Sequence, residues 1–304
     1  MKQQRVIALG FFDGVHLGHG ALLRQARLRA DALGVPAAAL TFDAHPDTVV
    51  FGQPVALINT LADRRRLMTE VYAMDHVILA HFDRDMAAMP WEDFVEDYLV
   101  RRLGAAHVVC GHDFSFGHRG QGTPDRLREK CAALGVGCDV IEQVSCHGAV
   151  ISSTRIRTLL QQGDLDEANC LLGHRHFLTG TVCPGKQLGR QMGIPTANVP
   201  LPEGVVAPAF GVYATQVQLS DGSRHMAVTN VGVCPTVQSS TQVTVEPWLL
   251  DFSGDLYGRK VRIEFCSYLR PERKFPSLDD LQAEIRRNAQ QTRNWFAGNG
   301  PKSI

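Results

Sequence analysis

The sequence has no excess of either charge: 31 Lys plus Arg stand against 31 Asp plus Glu in 304 residues. That balance excludes a global field drawing the chain to nucleic acid or an anionic membrane, so recognition of a polyanion must be local. CxxC pairs are missing too. The eight cysteines, at 110, 131, 138, 146, 170, 183, 234 and 266, are scattered, several of them in apolar runs such as HVVCG and IEFCS. Such spacing suits reduced thiols filling core space, not a disulfide frame or a zinc site. No apolar run approaches the ~20 residues of a spanning helix, and no basic leader precedes an apolar segment. A soluble, cytoplasmic protein is expected, with neither membrane nor nucleic acid as partner. Internal repeats and low-complexity stretches are lacking as well.

What is there is enough apolar material, 44% of the residues, for two cores in a chain of this length. From residue 5 to about 144, short apolar runs (RVIAL, AAALTF, HVILA, HVVCG, DVIEQV) alternate with amphipathic ones. This is the grammar of a parallel sheet covered by helices. In the first helix Leu22, Leu23, Ala26, Ala30 and Leu33 share one side. Two short helices, STRIRTLLQQG and DLDEANCLLG, follow, the second ending at Gly173. After HRHF, strand-like stretches succeed one another through turns: FLTGTVCP, GVYATQVQL, HMAVTNVG, TVEPWLLDF and KVRIEFCSYL. A barrel or sandwich is expected there. In its last strand Val261, Ile263 and Phe265 should face the core, with Arg262 and Glu264 on a wet face. A final helix from about Ser277 to Trp295 should pack through Leu278, Leu281 and Ile285. The boundary falls near residue 175, giving domains 1–175 and 176–304.

The stretch ALGFFDGVHLGHGALLRQA puts His16 and His19 one helical turn apart where the first strand hands over to a helix. A glycine-rich turn entering a helix offers unpaired N–H groups and the positive end of a dipole, a natural phosphate cradle. Histidines at i and i+3 share a face and can address one phosphate. One buried structural imidazole and one solvated one would fit the spacing equally well.

GFFDGVHLGH resembles the signature of the HxGH nucleotidyltransferase superfamily. TFDAHP, GHDFSFG and ISSTRIR are similar to further motifs of one branch, the bacterial bifunctional riboflavin kinase/FMN adenylyltransferases, as are GKQLGRQMGIPTANV, GVYA, NVGVCPTV, VEPWLLDF and DLYGRKV in the second half. The resemblance, spanning residues 5 to 290, implies an α/β Rossmann-like adenylyltransferase domain with a parallel sheet, then an antiparallel six-stranded β-barrel kinase domain with a C-terminal helix. It implies ATP and Mg²⁺, riboflavin and FMN as substrates, and FAD as product.

On that resemblance, His16 and His19 should contact the ATP phosphates, with Gly10, Phe11, Asp13, Gly14 and Gly18 shaping the cradle. Ser152, Ser153 and Arg155 should hold the departing pyrophosphate, for an arginine forks onto phosphate. Thr41, Asp43, His45, Asp113, Phe114 and Phe116 follow apolar strands, at the sheet edge where ligands bind, and are candidate nucleotide and flavin contacts. Phe114 and Phe116 could equally be core residues. In the second half Glu246 is the implied base for the riboflavin hydroxyl, and Thr196 and Asn198 are the implied holders of Mg-ATP, hard oxygen donors that suit magnesium. Gly185, Lys186, Gly189, Arg190, Gly193 and Pro195 form the implied phosphate loop.

Two positions depart from the family pattern. Pro247 and Trp248 follow Glu246 where a histidine is usual two residues on, and a proline there calls for an edge position or a bulge. Asn288 stands where the last helix often carries an aspartate. Narrower readings therefore stay open at this point: an FMN adenylyltransferase with a weakened kinase barrel, a non-catalytic flavin or nucleotide sensor, or a superfamily transferase acting on another phosphate.

Overall fold

The computed structural model describes residues 3–185, 193–235 and 241–298. The chain divides into two compact units, Met1–Ser153 and Thr154–Ile304.

In the first unit, five strands form one parallel sheet: β1 (Arg5–Leu9), β2 (Ala37–Phe42), β3 (His76–Ala80), β4 (Ala105–Gly111) and β5 (Gly137–Ile141). Their order is β3-β2-β1-β4-β5. Val6, Ile7, Ala8 and every residue of β2 are buried because helices cover both faces. The chain runs outward from β1 to β3 and then returns to β4, so the order reverses between β1 and β4. Beyond their carboxyl ends such a sheet leaves a crevice.

The helices are α1 (Leu17–Leu33), α2 (Pro46–Phe51), α3 (Leu61–Glu70), α4 (Arg84–Ala88), α5 (Trp91–Asp93), which continues as a π-helical stretch Phe94–Arg102, and α6 (Pro124–Ala133). Leu22, Leu23, Ala26 and Ala30 of α1 are buried, as the periodicity requires, and Gly34 in the left-handed region ends the helix. Leu33 is exposed, contrary to the sequence expectation. A 17-residue helix spans about 25 Å, while the five residues of β1 span about 17 Å. The last turn of α1 therefore overhangs the sheet. A small hairpin, β6 (Ser145–Cys146) and β7 (Ala149–Val150), precedes the end of the unit.

The second unit opens with α7 (Ser153–Gln162), whose first residue belongs to the first unit, and α8 (Leu165–Leu172), closed by Gly173 as expected. Six antiparallel strands follow: β8 (Phe177–Thr181), β9 (Val199–Pro200), β10 (Gly211–Gln218), β11 (Arg224–Pro235), β12 (Thr241–Leu249) and β13 (Lys260–Pro271). Their order is β8-β13-β10-β11-β12-β9. A bridge between Cys183 and Asn198 brings the two edges together, leaving a nearly closed barrel. The two residues of β9, one of them proline, carry no periodic signal and are strand only because β12 pairs with them.

Along β13, Val261, Ile263 and Phe265 point into the core as the alternation demands. The opposite face is not wet. Arg262 lies 3.7 Å over the Phe177 ring and 3.1 Å from Glu264, covering both. The last helix, α9 (Leu278–Gly298), lies on β10 and β11. Its buried stripe is Glu284, Asn288, Ala289 and Thr292, whereas Leu278 is 70% exposed. The expected apolar stripe is thus shifted: Ala289 packs with Val212, Val228 and Leu250, while Glu284 lies toward the cations at the end of β13. Glu284 there meets Arg270 at 3.4 Å, Arg273 at 2.6 Å and Arg287 at 2.5 Å. Asn288 is buried and accepts from Arg270 Nε at 3.1 Å, a neutral partner beside a carboxylate that already takes the charge.

Candidate active sites

The turn from β1 to α1 holds an unusual backbone. Phe12 (φ 59°), Gly14 (φ 76°) and Val15 (φ 44°) all lie in the left-handed region. For a β-branched residue such as Val15 this conformation costs on the order of 1–3 kcal/mol and persists only where the surroundings over-determine it. His16 then caps α1: its Nδ1 accepts from the His19 N–H at 3.2 Å. The neutral His16 ring consequently carries its proton on Nε2. The two imidazoles stack with centroids 3.6 Å apart and planes 11° from parallel. Burial, then the neighbouring His16 and Arg64, hold the His19 pKa well below the usual imidazole range. His19 Nδ1 is enclosed and has no hydrogen-bond partner among the described residues. An orphaned buried donor or acceptor is costly, and here it stands beside a helix start.

The two imidazoles line a cavity of about 1150 Å³. Its polar wall includes Gly10, Gly18, Ser152 and Ser153; its apolar wall includes Phe42, Phe82, Met86, Phe94, Phe114 and Phe116. One wall suits phosphate, the other a flat aromatic ring system. His45 and Asp113 also line it, and the His45 ring packs edge-on against Phe11 at 4.7 Å. Phe116 is buried with Phe94 in the core and also lines the cavity beside Phe114.

Four predicted contacts are not part of the cavity lining, three of them buried and Asp43 exposed. Thr41 is fully buried and its hydroxyl donates to the Phe11 carbonyl at 2.7 Å. Asp13 accepts from the Ile58 N–H at 2.8 Å, while its own carbonyl accepts from the Ser153 hydroxyl at 3.0 Å. Gly14 is buried in the turn itself. Asp43 takes His81 Nδ1 at 2.6 Å and the Phe82 N–H at 3.0 Å; partial burial works against it, yet these bonds hold its pKa below the usual value. Arg155 sits in the second unit with Nη2 3.6 Å from Glu167. Sequence reasoning missed Arg64, which is wholly buried. It lies in LADRRRL, where only its phase with the buried Leu67 and Met68 distinguishes it from solvated neighbours.

In the second unit the kinase candidates converge through strand register. Thr244 pairs with Pro200 and Val245 with Val199, and the Ala197 N–H donates to the Pro247 carbonyl at 2.9 Å. The pairing thus continues past β9 and sets Asn198 opposite Glu246. On the other side Asn230 is the cross-strand partner of Glu246. Glu246 accepts from the Thr244 hydroxyl at 3.0 Å, and Asn230 donates to Glu272 at 3.1 Å. Asn198, Glu246 and Asn230 form a polar row over three strands, continued by Glu272. The last two members were not foreseen. Gly232 makes room for that row, since a Cβ there would fall 2.1 Å from Glu272 Oε1.

Pro247 does not bend the strand. β11 and β12 pair without a register shift from Thr241 to Leu249. A residue's N–H and C=O point the same way from a strand, and the Pro247 carbonyl faces Ala197. Its missing donor is therefore on the side of the short β9 segment and costs the β11 ladder nothing; β12 lies between β11 and β9, so neither the expected edge position nor a bulge is found. Thr196 is exposed and Asn198 half-buried, flanking the buried Ala197, so both project from the barrel on one side. Gly185 comes close to Asn198, with a Cβ there 3.1 Å from its Cβ, Gly193 turns with φ 69° and Pro195 is exposed. Lys186, Gly189 and Arg190 lie outside the described residues.

Comparison with known proteins finds a family match for each half of the chain. The family described as FAD synthetase matches residues 1–155, and that described as riboflavin kinase matches residues 172–296. A bifunctional riboflavin kinase/FMN adenylyltransferase of Listeria monocytogenes is 35% identical over 96% of this chain and 93% of its own. That of Bacillus subtilis is 36% identical over 97% and 94%, and that of Escherichia coli K12 37% identical over 96% and 92%. A crystal structure described as a macrolide-efflux protein from Streptococcus pneumoniae shares the fold, with a TM-score of 0.87 and 29% identity over 97% of this chain and 95% of that one. No helix among the described residues is long and apolar enough to cross a membrane. With relatives matched along nearly their whole length and both enzymatic units present, this chain belongs to the bifunctional riboflavin kinase/FMN adenylyltransferase family.

Proposed function

We propose that the two reactions are divided between residues 1–175 and 176–304, with the turn at His16 and the row at Glu246 as their centres. In the first, an FMN phosphate oxygen attacks the α-phosphorus of ATP, a new P–O bond forms, and the bond to the β-phosphate breaks to release pyrophosphate. The nucleophile is already an anion, so the protein has no proton to remove and contributes alignment and charge. His16 Nε2–H, the first N–H groups of α1 and the Ser152–Ser153 pair supply donors; Arg155 is assigned to the leaving pyrophosphate. The observation that carries this reading is the orphaned Nδ1 of His19 at a helix start, in the wall of a cavity large enough for both substrates.

In the second reaction the nucleophile is the neutral ribityl hydroxyl of riboflavin, which must lose a proton as it attacks the γ-phosphorus and ADP leaves. Glu246 takes that proton. The hydroxyl of Thr196 and the amide oxygen of Asn198, beside that carboxylate, are hard donors that fit Mg²⁺; they would hold it on the ATP phosphates, where it neutralises charge. Free thiols at seven of the eight cysteines fit a reducing, cytoplasmic setting.

Incubating the purified protein with riboflavin, ATP and Mg²⁺ and separating the flavins by chromatography tests the assignment. FMN should appear first and FAD should follow. FAD from supplied FMN without FMN from riboflavin would leave only the adenylyltransferase, and binding without product would leave a sensor.

A further inference from the structure

Arg64, on the first turn of α3, is among the largest fully buried side chains of the described residues. Burying a guanidinium is costly unless its donors are met. Those donors converge on the two strand ends that frame the cradle: Nη1 donates to the Phe11 carbonyl at 2.6 Å and to the Thr41 hydroxyl at 3.3 Å, and Nη2 to the Phe42 carbonyl at 3.3 Å. The guanidinium carbon lies 4.3 Å over the Phe11 ring. Nε is enclosed and makes no hydrogen bond among the described residues. All three bonds end on uncharged oxygens, and the charge that faces the guanidinium is the Asp13 carboxylate of the turn itself. Asp13 also holds the Ile58 N–H just before α3 at 2.8 Å.

These contacts surround the strained part of the chain. Phe11 immediately precedes the left-handed Phe12, and Gly14 and Val15 follow in the same region. Within the turn the Val15 N–H donates to the Phe12 carbonyl at 3.2 Å; from outside it the Phe11 carbonyl is held by both the Thr41 hydroxyl and Arg64.

We propose that Arg64 is a positioning residue for adenylyl transfer: its buried fork, together with Asp13 reaching back to Ile58, locks the β1–α1 turn in the phosphate-accepting shape. This rests on the assignment of that turn as the ATP phosphate station. Arg64 touches neither substrate; it acts through Phe11, Phe42 and the turn.

The test uses the full-length protein and both of its reactions. Arg64→Met keeps bulk and removes the fork and the charge; FAD formation from FMN should fall about 10²-fold, as displaced reacting groups do, with a raised KM for ATP. FMN formation from riboflavin, in the other unit, should be unchanged and so reports folding. In Arg64→Ala, millimolar guanidinium should restore part of the lost adenylyl transfer, which a merely structural loss would not show, and should do nothing for His19→Ala. If Arg64→Met does not fold, Arg64→Lys is read in its place: charge without the fork should lose about tenfold. A wild-type FAD rate in the folded variant, or a loss in Arg64→Ala that guanidinium leaves untouched, overturns the inference. Normal FAD synthesis by His19→Ala would instead overturn the station, whereas a defect there with none at Arg64 removes the inference alone.

Discussion

Replacing Glu246 by glutamine separates the role of a base from that of a strand residue. The substitution keeps the shape, and the amide oxygen of glutamine can still accept from the Thr244 hydroxyl, 3.0 Å away in the native chain. Pairing with Asn230 on β11 is by backbone and survives. What disappears is the capacity to take the ribityl proton. A positioned general base contributes about 10²- to 10⁴-fold, a barrier of about 2.7–5.5 kcal/mol at ~1.4 kcal/mol per tenfold. FMN formation from riboflavin in the Glu246→Gln protein should therefore drop by two to four orders of magnitude in kcat, with KM for riboflavin and ATP nearly constant. FAD formation from supplied FMN should not change, and it serves as the control in the same tube. A fall of less than about threefold would refute the reasoning; the base would then have to be sought elsewhere in the row, with Glu272 the first carboxylate to examine.

His19→Ala should leave FMN affinity, measured by flavin fluorescence quenching, close to native while slowing FAD synthesis by about 10²-fold; equal loss of both would refute a role on phosphate. Gly232→Ala places a Cβ 2.1 Å from Glu272 Oε1, so that flexible carboxylate should swing off Asn230 and kinase turnover should fall several-fold with little loss of thermal stability; a native kinase rate would show that the Asn230–Glu272 bond is dispensable. His176 is wholly buried, neither ring nitrogen has a partner among the described residues, and burial pushes its pKa down to about 3. Below about 6.5 the unfolded chain then binds a proton that the folded chain refuses, so stability falls as pH drops from 6.5 toward 3, by about 2 kcal/mol at pH 5. Urea midpoints of the second unit at pH 7 and pH 5 should show this slope in the native protein and lose its histidine part in His176→Leu; equal slopes would refute it.

Much of this was written in local patterns. The parallel sheet followed from apolar runs at βαβ spacing, and the turn at His16 from glycines between a strand and an amphipathic helix. The Gly173 stop needed only a glycine after the last apolar residue. Failures came where packing overrode periodicity. Leu33 has the phase of a core residue but lies beyond the sheet it would cover, and Leu278 is left exposed while Glu284 is buried toward Arg270 at the end of β13. Asp43 and Thr41 sit in a motif at a strand end, which locates them within a few ångströms of a crevice yet cannot say on which side of its wall the side chain lies.

By itself the sequence determined the class of each unit, because strand alternation and helix caps depend on residues close together in the chain, and its motifs implied the two chemistries through their resemblance to a known family. Only the tertiary structure decided which groups act together. Asn198, Glu246, Asn230 and Glu272 are distant in sequence and become neighbours through strand register, and Arg64 reaches Phe11 from more than fifty positions away. Register and burial are properties of contacts between segments, and a one-residue shift in pairing would turn every one of those side chains to the opposite face.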